Sequence, residues 1–158
     1  MTVADQDVTT DVRIDGGVLV GHDGSRNSTE AVAWAARTAH RLGLPLHVLR
    51  AWSITTAPTP SSMTGGYVPP LDDFEREVVA AVQADLDALD LPEGLEAHVH
   101  AVRGKSSTKL LEAAEHAEML VVGARGGGGF RGLGFGSTAD QVVRHAPCPV
   151  VVVPTHKG

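Results

Sequence analysis

Three glycines and a pair of hydroxyls carry the clearest chemistry in this chain. Gly123, two residues, Gly126, nine residues, Gly136 and then Ser137-Thr138 follow the apolar run Leu120-Val121-Val122. Glycine lets bare backbone N–H groups approach an anion, and a helix start adds partial positive charge. The pattern is that of a buried strand, a phosphate-sized loop and a helix N-terminus. A second set, His22-Asp23-Gly24-Ser25, follows the apolar Val18-Leu19-Val20 and places a carboxylate after another strand. In an open parallel sheet, ligands bind beyond the carboxyl ends of the strands, where the strand order reverses. If the first and fourth strands are neighbours, the two loops meet there, and the second strand ends close by at Arg50-Ala51-Trp52. The three walls would offer a carboxylate for ribose or a base, a small apolar patch for adenine, and a cradle for phosphates.

These spacings must be positioned by a scaffold, and the scaffold is legible. Val18 to Val20 reads as a buried strand opening into a turn. Asn27, with Glu30 three residues on, reads as a helix start with a capping box, and Gly43 as its stop. Leu46 to Ala51 is a second strand. Leu71, Phe74, Val78, Val82, Leu86 and Leu89 recur on one face of a long helix. Leu95 to Val102 is a third strand, and Ser106-Ser107 open a helix. Met119 to Val122 is a fourth strand. Ser137 to His145 is a short helix with Val142 and Val143 inward, and Val150 to Val153 is a fifth strand. This βαβαβαβαβ order demands a parallel sheet with helices on both faces, joined by right-handed crossovers. Residues 1–12 read as a disordered tail and 13–158 as one domain. Residues 53–70, with four prolines and two adjacent glycines, form a long loop that is functional or mobile.

The glycine spacing, the Val20-Gly21-His22-Asp23-Gly24-Ser25 loop and the closing Pro147-Cys148-Pro149-Val150-Val151-Val152-Val153 together resemble the universal stress protein family, and within it the nucleotide-binding branch. The resemblance runs from about Val18 to Pro154. It implies an α/β, Rossmann-like fold with a five-stranded parallel sheet in the order 3-2-1-4-5, ATP at the switch point, and homodimers. By that resemblance Asp23 would contact the ribose hydroxyls and Ala51 the base. The backbone of Gly21, His22 and Val122 would flank the nucleoside. Gly123, Arg125, Gly126, Gly136, Ser137 and Thr138 would hold the phosphates, with Mg2+ or Mn2+ bound through them. Two departures stand out: the loop at Gly126-Gly127-Gly128-Gly129 is unusually rich in glycine, and Arg125 stands where smaller or neutral polar residues, often His, also occur. A cation there favours a longer phosphate chain.

Composition narrows the alternatives. A net charge of -6 argues against wrapping nucleic acid, which wants basic surface. One cysteine, Cys148, cannot form an internal disulfide and fits a reducing compartment. The segment Thr2 to Asp15 is polar and acidic, unlike a secretory signal, and no apolar run approaches the ~20 residues of a membrane span. A cytoplasmic protein is the expectation.

Several motifs are decoys. Gly104-Lys105-Ser106 lies between strand and helix, but a P-loop also needs glycine where Val99 stands. Gly127-x-Gly129-x-x-Gly132 matches a dinucleotide fingerprint but follows the fourth strand, with too little chain after it for the acidic partner. His98-x-His100 lacks further ligands at zinc spacing and reads as a solvated strand face. Trp34 and Trp52 read as packing residues. Asp23 alone would suit a turn carboxylate, and Ser137 and Thr138 would suit helix caps. The resulting expectation is an ATP-binding, dimeric sensor or regulator of a stress response. Pairing through the exposed four-valine edge Val150–Val153 would make the dimer. The alternatives are a slow ATPase, disfavoured because no general base or lysine is assigned to the γ-phosphate, and a binder of another adenine nucleotide such as cyclic AMP.

Overall fold

The computed structural model describes residues 8–125 and 135–155. Five strands, β1 (Val18–Gly21), β2 (Leu46–Trp52), β3 (Ala97–Arg103), β4 (Met119–Gly123) and β5 (Val150–Val153), alternate with four helices. These are α1 (Arg26–Leu42), α2 (Leu71–Ala88), α3 (Ser106–Ala113), continued by a 3-10 turn at Ala114–His116, and α4 (Ser137–His145). The sheet is parallel throughout, in the order β3-β2-β1-β4-β5. The order in which strands are added reverses between β1 and β4, and that is the switch point.

Alternation along the strands builds two cores. Val18 and Val20 of β1 pack against α1 and α2 with Val48, Val78 and Val82. Leu19, on the other face, packs beneath α3 and α4 with Leu49, Leu110, Leu120 and Val142. Trp52 is a core residue, its ring stacked on Phe74 at 6.3 Å. Helix α1 ends at Gly43, whose left-handed backbone (φ 69°) lets its N–H reach back to the last carbonyls.

Four local expectations change. The N-cap of α1 is Ser25, whose side chain accepts from the Ser28 backbone N–H, not Asn27. The helix starts earlier because the Asn27 side chain is engaged across the sheet, as described below. Val143 is exposed while Val142 is fully buried, since adjacent residues on a helix lie about 100° apart and only one can face the sheet. Residues 8–12, assigned to the tail in the sequence, are packed on the domain. Val8 and Val12 are buried, the Arg103 backbone N–H donates to the Thr9 carbonyl at 2.8 Å, and Lys109 Nζ donates to the Thr10 carbonyl. Two valines in a polar stretch were enough to cover the edge beside β3.

The fourth change concerns the histidines. His98 and His100 are not a simple solvated face: His47 of β2 joins them. His47 Nδ1 lies 2.9 Å from His100 Nε2, His47 stacks on His98 at 5.1 Å, and His98 Nε2 bonds Glu96 at 2.7 Å. The register pairs His47 directly with His98, so three rings share one sheet face. Burial and the neighbouring imidazoles push the His100 pKa down to about 4; burial also lowers His47. A histidine held neutral in the native state binds its proton in the unfolded chain first. Its stabilising contribution is therefore complete above the ordinary value of 6.5 and is lost as pH falls from there toward about 4. Urea unfolding should give a lower midpoint at pH 4.5 than at pH 7.5, with His100→Gln flattening the dependence. A wild-type midpoint that does not fall across this window, or an unchanged slope in the variant, would contradict the assignment.

Candidate functional site

One wall of the switch point is the turn after β1. The His22 backbone N–H donates to the Leu49 carbonyl at 2.9 Å, extending the β1–β2 ladder one residue past Gly21. Asp23 then accepts from the Ser25 backbone N–H through Oδ1 at 2.8 Å, and its own N–H donates to Ser28 Oγ at 3.2 Å. Gly24 supplies the left-handed residue of this turn (φ 83°). Asp23 is thus held at the helix entry and remains exposed at the surface of the switch point.

The opposite wall is the exit of β4. The Ala124 N–H donates to the Val153 carbonyl at 2.8 Å, and the Gly136 N–H donates to the Ala124 carbonyl at 2.7 Å. The second bond closes the base of the glycine segment and seats the start of α4 beside Gly123 and Arg125. Gly136 is the N-cap of α4 and Ser137 its first residue, so the first-turn N–H groups, which have no partner within the helix, lie at this end. Asn27 braces the wall from below. Its Oδ1 accepts from the Arg125 backbone N–H at 2.8 Å, and its Nδ2 donates to the Val153 carbonyl at 3.4 Å. Sequence reading missed this role because Asn before a helix is the ordinary signal for a cap. Its partners lie 98 and 126 residues away.

Between the walls lies a narrow cleft. Gly21, His22, Asp23 and Ala51 line it from the β1 and β2 ends. Val122, Gly123, Arg125 and Thr138 line it from the β4 and α4 side. Eight of the eleven sequence-assigned positions therefore meet in one cavity. Gly136 and Ser137 sit at the α4 start without lining it, and Gly126 lies outside the described residues, as does the fingerprint at Gly127, Gly129 and Gly132. Ser28, Leu49, Ser106 and Leu110 complete the lining and were not assigned from sequence. Leu49 and Leu110 have two roles: the same side chains floor the cleft and fill the second core.

His22 enters the cleft by its backbone. A Cβ on Gly21 would meet Leu110 at 3.0 Å, so Gly21 faces α3, and the next residue must face α2. There the His22 side chain is 1% exposed, and its Nε2 lies 2.7 Å from Asp85. Burial lowers the His22 pKa despite the Asp85 hydrogen bond, and the nearby Arg50 charge lowers it further. The ring is neutral near pH 7, and its Nε2–H donates to the carboxylate. It ties the β1 turn to α2.

A carboxylate, a small apolar wall and the N-terminal end of α4 thus meet at the switch point. The universal stress protein family model matches residues 17–154. The chain belongs to that family. A universal stress protein of Mycobacterium tuberculosis is 36% identical over 142 residues, which cover 87% of this chain and 47% of that protein. This chain therefore spans about half the length of that relative. Among solved structures, a universal stress protein in complex with cAMP covers 90% of this chain and 98% of its own, with a TM-score of 0.55 at 24% identity. The universal stress protein of Archaeoglobus fulgidus in complex with dAMP covers 89% and 98%, with a TM-score of 0.53 at 19% identity. Both share the fold of this universal stress protein. Among its described residues no helix is long and apolar enough to cross a membrane.

Proposed function

We propose that this universal stress protein binds ATP in the switch-point cleft and acts in the cytoplasm as a nucleotide-dependent, dimeric sensor or regulator. One observation carries the reading: the Gly136 to Ala124 hydrogen bond at 2.7 Å brings the two ends of the glycine segment together opposite Asp23 and Ala51. Ribose hydroxyls at Asp23, adenine against Ala51 with Leu49 and Leu110 beneath, and phosphates at Gly123, Gly126, Arg125, Gly136, Ser137 and Thr138 fill those positions without a misplaced charge. The backbone of Gly21, His22 and Val122 borders the nucleoside. The cAMP and dAMP complexes of proteins with this fold support an adenine nucleotide. A Mg2+ or Mn2+ ion would join through phosphate oxygens, with water filling its other positions.

Mass spectrometry of the nucleotide released on denaturing freshly purified protein should find ATP. In calorimetry, Arg125→Ala should weaken ATP by a larger factor than AMP, because the guanidinium would serve the distal phosphates. Release of no nucleotide, together with no ATP binding in the calorimeter, would reject the reading. Equal losses for both ligands would remove Arg125 from its role.

The dimer rests on β5. It pairs with β4 on one side only, at the end of the sheet, and Val150, Val151 and Val152 are each only partly buried. Pairing with a two-fold mate would cover that edge. Light scattering should give twice the 16.5 kDa chain mass. Val151→Asp should lower it toward the monomer, and a wild-type monomer across micromolar concentrations would defeat the proposal.

A further inference from the structure

The cleft does not end at Asp23. A second, open cleft adjoins it, lined by Asp23, Arg50, Ala51, Ser53, Thr56, Gly104, Lys105 and Ser106. Asp23, Ala51 and Ser106 line both cavities, so the two share a wall rather than merely lying near each other. The chemistry changes across that wall. The first cleft is floored by leucine and glycine backbone. The second holds two cations, Arg50 and Lys105, among three hydroxyls.

Arg50 is the informative residue. It lies on β2, one position before Ala51, and is half-buried. Its five N–H donors demand acceptors when removed from water. Among the described residues its guanidinium makes no hydrogen bond and no direct ion pair. Its charge is met at longer range by Asp23 and Asp85, while burial works against it. Its position is marked by Gly24, where an added Cβ would lie 3.5 Å from Arg50 Nη2. The guanidinium therefore stands behind the Asp23 turn. Lys105 is held on the far side by Gly104, whose backbone N–H donates to the Trp52 carbonyl at 3.0 Å and ties the β3 exit to β2. Lys105 itself is exposed.

This inference rests on the adenine-nucleotide reading of the first cleft. If Asp23 holds the ribose hydroxyls, the 2′ and 3′ edge of that ribose lies on the wall shared with the second cleft. The groups waiting there are a planar, bidentate donor and an ammonium. Such a pair is suited to a phosphoryl group and unnecessary for a bare hydroxyl. We propose that the second cleft is an anion subsite built on Arg50 and Lys105, and that the chain accepts adenine nucleotides carrying a further phosphoryl group on the ribose 2′ or 3′ oxygen. Arg50 offsets the Asp23 charge that would otherwise repel such a ligand, and the hydroxyls of Ser53, Thr56 and Ser106 complete its surroundings.

The test is calorimetry on the full chain with ATP, AMP, adenosine 2′,5′-bisphosphate and adenosine 3′,5′-bisphosphate. At least one bisphosphate should bind tenfold or more tightly than AMP. Arg50→Gln should bring that ratio close to one. Lys105→Gln, on an exposed residue where folding is not at issue, should reduce it by a smaller factor. ATP and AMP binding with neither bisphosphate favoured would overturn the subsite and leave the nucleotide reading standing. An advantage that survives both substitutions would also overturn it. Absence of binding by ATP and AMP alike would reject the nucleotide reading and this proposal with it.

Discussion

Gly123→Ala should be among the most damaging single substitutions in this chain, lowering stability by on the order of 2–4 kcal/mol through overpacking and lost hydrogen bonds. A Cβ at this position would lie 2.7 Å from Asn27 Oδ1 and 2.9 Å from Asn27 Cγ, well inside contact distance. Asn27 cannot swing aside cheaply. It is buried, its Oδ1 accepts from the Arg125 N–H, and its Nδ2 reaches the Val153 and Pro154 carbonyls. Moving it strips partners from buried backbone and releases the Arg125 end of the glycine segment, so nucleotide affinity should fall as well. The conflict with Asn27 explains the glycine even without a phosphate. A double-mutant cycle separates the causes. Asn27→Ala alone should cost about 1–3 kcal/mol, and Gly123→Ala should cost far less in that background than in the wild type. Additive losses by urea denaturation would show that Asn27 is not what forbids the side chain.

Asp23→Ala should weaken ATP binding at least tenfold. Losing a hydrogen bond to a charged acceptor is worth about 1.5–3 kcal/mol, and each 1.4 kcal/mol is a factor of ten. The structure adds a complication that the sequence raised only as an alternative: Asp23 is also a turn carboxylate, accepting from the Ser25 N–H. Alanine removes both functions. Asn at this position retains the acceptor that holds the turn and removes only the charge. Calorimetry on Asp23→Asn should therefore show a loss smaller than that of alanine but still measurable, with thermal stability near wild type. If Asp23→Ala binds ATP as the wild type does, Asp23 is a turn residue and nothing more. If both variants lose stability as well as affinity, the ligand role needs another carrier.

What could be read from the residues was whatever depends on local periodicity. Short apolar runs at Val18, Leu46, Met119 and Val150 mark strands, and the helical stripe from Leu71 to Leu86 marks α2. The strict alternation of strands with helices demands a parallel sheet, because a helix-length crossover returns the chain to the same end of the sheet before each new strand. The glycine spacing carried the location of the candidate site for the same reason. It ends at a helix start, whose first-turn N–H groups have no partner within the helix.

The tertiary structure alone decided which side chains are shared between distant segments. Asn27 carries a cap signal, yet it braces Arg125 and Val153 across the sheet, and Ser25 takes the cap. His47 is unremarkable in sequence until the β2–β3 register sets it beside His98 and within reach of His100. His22 lies in the site motif, but strand alternation turns its ring away, onto Asp85 of α2. Val8 and Val12 lie in a polar stretch too short to show a period, and are buried only because an uncovered surface beside β3 was available to them. Periodicity reports which face of its own element a residue occupies. Partners are set by strand order and register, which arise when separate elements bury their apolar faces together and cannot be read from any one of them.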